Sequence, residues 1–118
     1  DQEYNWLRSV KCMKESDFAV FIFMEAPEAR FPGYSSIPNE LNSSVSAEFT
    51  YWASTLGRSP DRTLAVYEGN IADDLGSLIP GQVDSFGCHE GEFDQREYSE
   101  LFDVVDSECW KWVNKYCK

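Results

Sequence analysis

Hydrophobic and polar positions alternate along this chain with two different periods. From Phe18 to Met24 (FAVFIFM) every position is apolar and rich in aromatic and β-branched residues. That pattern predicts a strand covered on both faces; seven residues is short for the buried helix the same run could otherwise form. Within Asn42–Gly57 (NSSVSAEFTYWASTLG), Val45, Phe49, Trp52 and Leu56 recur at spacings of four, three and four. They share one helical face, so Ser44–Leu56 is expected as an amphipathic helix. Ser43 or Ser44 would cap its start, and Gly57 followed by Pro60 would stop it. Thr63–Tyr67 (TLAVY) then reads as a second buried strand. Strand, long connection with a helix, and strand make one βαβ unit, with the two strands parallel and adjacent or nearly so and the helix packed across them.

The flanking segments extend this unit. Tyr4–Glu15 is expected as a helix with Trp6, Val10 and Met13 on one face, broken by Ser16-Asp17. Glu25–Leu41, with Pro27, Pro32, Gly33 and Pro38, is a long connection whose Phe31 and Tyr34 pack the loop down or close over a ligand. Asp73–Gly81 suggests one or two helical turns ended by Pro80-Gly81, Gln82–Cys88 a third strand, and His89–Glu92 a loop whose histidine takes no catalytic role. Glu97–Cys117 carries a broad apolar stripe that includes Leu101, Val105, Trp112 and Tyr116. Acids lead this helix (Glu97, Glu100, Asp103) and lysines end it (Lys111, Lys115, Lys118), in keeping with the helix dipole.

At 118 residues and 42% hydrophobic composition the chain is expected to form one globular domain spanning residues 1–118. Its formal net charge of −11 argues against binding a nucleic acid polymer by phosphate neutralisation. A small phosphate-bearing ligand stays compatible with that charge, because helix-start N–H groups bind anions without a basic patch. No apolar run is long enough to span a bilayer, and no membrane association is expected. The four cysteines show no C-x-x-C spacing, so no metal site is expected. Cys109 and Cys117 would sit about 12 Å apart along one helix, too far to bridge. Reduced thiols and a cytoplasmic location are the expectation. Secretion is the alternative, to which the sequon Asn42-Ser43-Ser44 adds a little weight.

The succession Glu3-Tyr-Asn-Trp-Leu7, Ser16-Asp-Phe-Ala-Val20, the helix around Glu48, Leu64-Ala-Val-Tyr67 and Leu75-Gly-Ser-Leu-Ile-Pro-Gly81 resembles the nucleoside 2-deoxyribosyltransferase-like superfamily. Within it the chain is most similar to the 2′-deoxynucleoside 5′-monophosphate N-glycosidases. The resemblance covers most of residues 1–81 by order and the last helix only loosely. It implies a flavodoxin-like three-layer α/β domain with a small parallel sheet, whose first strand and Gly-rich loop have no counterpart in these residues. It also implies cleavage or exchange of the N-glycosidic bond of a (deoxy)nucleoside or nucleotide, without a cofactor, in a homodimer. Glu48 falls on the family's catalytic glutamate, and Glu3 on an acid that orients sugar or base. Asn42, Ser43 and Ser44 fall on the phosphate-binding helix start, and Ser77 lies in the segment that dimers offer to the neighbouring site. Ser44, Ser46 and Thr50 stand where the family has glycine, and Ala47 where it has an aromatic residue.

A carboxylate suits this chemistry because the transition state is oxocarbenium-like: the acid can attack the anomeric carbon or hold the positive charge. From spacing alone, Glu48 also reads as an ordinary acid near a helix start, favoured by the dipole, and Glu3 as a solvated residue. Two further classes fit the same residues. One is a non-catalytic nucleotide-sensing or TIR-like interaction module. The other is a small secreted, disulfide-linked effector or binding protein. The thin sheet and the Trp110/Trp112 pair add to the expectation of a homodimer.

Overall fold

The computed structural model describes residues 2–24, 40–69, 78–94 and 97–117. Most of the expected 25–41 connection, and residues 73–77 of the segment before Pro80, lie outside that set. In chain order the elements are α1 (Gln2–Glu15), β1 (Ala19–Phe23), α2 (Glu40–Thr50) running on into a wide π turn (Tyr51–Thr55), a 3-10 turn (Pro60–Arg62), β2 (Thr63–Glu68), α3 (Leu78–Phe86), β3 (His89–Phe93) and α4 (Tyr98–Tyr116).

The strands form one parallel sheet in the order β1-β2-β3. Ala19 pairs with Thr63 at one end of the β1–β2 ladder and Phe23 with Tyr67 at the other. Leu64 pairs with His89 and Glu68 with Phe93 along β2–β3. Parallel strands bury both faces, and β2 is buried at all six positions. On one face Phe21, Phe23, Ala65 and Tyr67 meet Met13 of α1, Phe49 and Trp52 around α2, and Val83 of α3. On the other, Val20, Ile22, Leu64, Val66 and Phe93 meet Leu101, Val104, Val105 and Trp112 of α4. The chain is thus an α/β domain in which a three-stranded parallel sheet alternates with helices. Among the described residues three helices cover one side of the sheet and one covers the other.

The β1–β2 pairing and the helix laid across it agree with the βαβ expectation. Gly57 has φ +58°, the left-handed conformation that a side chain disfavours, and it ends the α2 segment as expected. Three expectations are corrected. Residues 82–86, expected as strand, belong to α3. Ile79, Val83 and Phe86 lie at spacings of four and three and all pack into the core, so the period is helical. Pro80 does not end that helix; it sits in the first turn, where its missing N–H would have no partner in any case. The third strand is His89–Phe93, expected as a loop. As an edge strand carrying Glu90 and Glu92 on its exposed positions, it lacks the apolar run of a central parallel strand.

The third correction concerns α2, which starts at Glu40 rather than at Ser43 or Ser44. Ser44 therefore lies a full turn inside the helix and caps nothing. The helix also departs from α geometry after Thr50, whose hydroxyl donates to the Ser46 carbonyl at 3.0 Å. Such back-bonding competes with the regular ladder. One turn later Leu56 N–H reaches the Tyr51 carbonyl, five residues back, at 2.9 Å.

Candidate functional site

Glu48 sits in the third turn of α2, eight residues past its start, or roughly 12 Å along the axis at the usual helical rise. It is half-buried. Burial pushes its carboxyl above the ordinary glutamate value. Two adjoining grooves meet at this residue. One, of about 420 Å³, lies between α1 and α2 and is walled by Asn5, Arg8, Ser9 and Cys12. The other, of about 380 Å³, runs along the outer edge of β1 beneath the end of α1, and is lined among others by Met13, Val20, Ile22 and Trp52. Both volumes fall within the range of small-ligand pockets.

The floor of this region is held by one aromatic residue and one cation. Trp52 is fully buried and its indole N–H donates to Thr63 Oγ1 at 2.8 Å. The guanidinium of Arg58 lies 5.1 Å from the Trp52 ring centre. It also donates to the carbonyls of Met13 at 3.1 Å and Lys14 at 2.9 Å. Those are last-turn carbonyls of α1, of which Met13's also accepts from the Ser16 N–H at 3.4 Å, so Arg58 fixes α1 against the α2 segment.

The other expected site residues do not gather here. Glu3 is exposed near the start of α1 and lines neither groove. Asn42 and Ser43 belong to the first turn of α2 and their side chains lie outside the described residues, as does Ser77 altogether. Ser44 is exposed and more than a turn from Glu48. From Asn42 to Glu48 is six residues, roughly 9 Å of helix at the usual rise. Sequence reasoning missed Arg8, Ser9 and Asn5, because their relation to Glu48 is tertiary.

Two other clusters lie apart from Glu48. A groove of about 600 Å³ between α2 and α3 is larger, but Thr50, Ser54, Gln82 and Ser85 give it hydroxyls and an amide without an ionisable group. At the opposite end of the sheet from the β-strand C termini, His89 bridges two carboxylates. Its Nδ1 meets Glu108 of α4 and its Nε2 lies 3.2 Å from Asp61. Asp61 also accepts from Lys115 at 2.5 Å and from the Tyr116 hydroxyl, while its carbonyl accepts from the Trp112 indole at 2.8 Å. The Lys115 and Tyr116 hydrogen bonds hold the Asp61 carboxyl down at about 2. This network joins the turn before β2 to β3 and α4, and each member faces another protein group; it reads as a structural link.

Among the described residues no group of histidine, cysteine and acidic side chains is arranged to hold a metal, and no helix is long and apolar enough to cross a membrane. All four cysteines are free thiols, with Cys88 buried and its thiol pushed up to about 11 by that burial. Comparison with protein-family models, with curated proteins and with solved structures finds no match.

Proposed function

We propose that the chain is a flavodoxin-like domain that cleaves or transfers the N-glycosidic bond of a nucleoside or nucleotide through Glu48. The observation that carries this reading is a half-buried carboxylate of raised pKa facing a ligand-sized groove beside an arginine, an amide and a hydroxyl. Raised basicity strengthens a carboxylate as a nucleophile and brings its titration nearer to neutral pH, both useful at an anomeric carbon. In this reading Arg8 holds a phosphate, and Asn5 and Ser9 hold sugar hydroxyls. Glu48 attacks the anomeric carbon, the C–N bond breaks with its electron pair leaving on the base, and water then hydrolyses the glycosyl ester.

The test is release of free base from a panel of deoxynucleosides and their 5′-monophosphates. Glu48→Gln should lower turnover about a thousandfold or more, and Arg8→Ala should raise KM for monophosphates more than for nucleosides. Equal turnover by wild type and Glu48→Gln would remove Glu48 from its role. A second reading, a non-catalytic nucleotide-sensing or TIR-like module, is favoured by the distance between the α2 start and Glu48; binding of nucleotide without base release would support it. Association into a homodimer belongs to the same proposal. Phe102, Trp110 and Val113 on the exposed side of α4 offer the apolar surface, whereas Trp112 is committed to the core.

A further inference from the structure

The two edges of the sheet are built differently. β3 ends the sheet with His89, Glu90 and Glu92 among its five residues, and the two glutamates are exposed. Charged side chains on an edge strand are the usual protection against a further strand pairing with it. Among the described residues β1 ends the sheet on the other side with Ala-Val-Phe-Ile-Phe, without a charge, proline or glycine. Among the described residues its ladder partner is β2 alone. In a parallel strand alternate residues turn both N–H and C=O to the same side, so half of the β1 backbone faces the groove at its edge.

That groove has the shape of a strand position. Cys12, Met13 and Ser16 of α1 roof it, Val45 and Trp52 close it from the α2 side, and β1 forms its wall. Among the described residues Glu48 is the one charged side chain that lines it. We propose that this edge docks one extended strand of a separate polypeptide, apolar along its length and carrying a single lysine or arginine placed against Glu48. Main-chain hydrogen bonds to β1 would supply the affinity and the Glu48 pair the selectivity, the mode known as β-augmentation. The net charge of −11 draws a basic partner towards the chain. A second copy fits less well, because pairing β1 with β1 would bring two α1 helices over the same strands. The proposal does not depend on Glu48 being catalytic.

The probe is a nine-residue valine- and threonine-rich peptide with one central lysine, tested beside the same peptide with glutamate at that position. Titration calorimetry should show the lysine peptide binding at least tenfold more tightly. Hydrogen exchange of the protein with peptide bound should slow at least tenfold at the amides of Ala19–Phe23 that do not bond β2. Glu48→Gln should erase the preference for lysine while exchange at β1 still slows. Unchanged exchange at β1 in the wild type, equal binding of the two peptides, or sedimentation and exchange data showing β1 already covered by a second copy would each overturn the proposal.

Discussion

Glu48 and Asp61 are carboxylates whose surroundings pull in opposite directions. Burial raises the Glu48 pKa in the folded chain, so the fold favours its protonated form. A raised acid contributes stability that is fully present below its unfolded pKa and is lost as pH rises through the folded value. Glu48→Gln should therefore stabilise the protein at pH 7, and the gain should vanish below about pH 4, the ordinary glutamate range; urea midpoints at the two pH values measure this. Asp61 behaves in the other sense. Its folded value of about 2 lies below the ordinary 3.8, so its contribution is present above the unfolded pKa and lost as pH falls through the folded one. Asp61→Asn should lower the urea midpoint by a constant amount above pH 4, and the difference should close towards pH 2. Glu48 came forward as a candidate from the resemblance, since spacing alone reads it as an ordinary acid near a helix start. Its environment was not legible in the sequence, because Arg8, Ser9 and Cys12 lie on an element 36 or more residues earlier in the chain and reach it only once α1 has docked.

At the scale of elements the legible parts were those whose period is set by burial: β1, β2, α1, α4 and the apolar face of α2. What failed was local punctuation. Pro80-Gly81 has the chemistry of a stop, yet a proline in the first helical turn costs no hydrogen bond, and the Ile79/Val83/Phe86 face decided the outcome. β3 could not be read as a strand because an edge position rewards charge. Its middle residue shows how tightly it is nonetheless held. A Cβ on Gly91 would lie 2.6 Å from Val104 Cγ1 of α4, inside any normal contact. Valine is stiff at χ1 and cannot swing away. Gly91→Ala should destabilise the fold by about 1–3 kcal/mol, with a fall in Tm of several degrees. In a double-mutant cycle with Val104→Ala, which removes the clashing methyl, the two substitutions should compensate by at least 0.5 kcal/mol, the size expected for contacting residues. A cycle that is additive would mean the helix shifts freely over the sheet.

For the whole molecule, the parallel sheet has a consequence in time. Among the described residues both strand pairs are parallel and cannot close through a hairpin, so each ladder waits on a non-local encounter, and such topologies fold slowly for their size. Pairing Leu64 with His89 closes a shorter loop than pairing Ala19 with Thr63, by less than a factor of two. The entropic advantage is under about 0.6 kcal/mol, but α4 follows β3 within a few residues and adds local packing to the same half. Refolding is therefore expected to start in β2, β3 and α4, with α1 and β1 joining after the rate-limiting step. Stopped-flow tryptophan fluorescence on destabilising substitutions should show it. Val66→Ala, under α4, should slow refolding. Phe21→Leu, in β1, should leave the refolding rate nearly unchanged and accelerate unfolding. A chain that folds in this order leaves the β2 edge that β1 will cover open longest, and the lifetime of that state sets how often a strand from elsewhere meets it before β1 and α1 close over it.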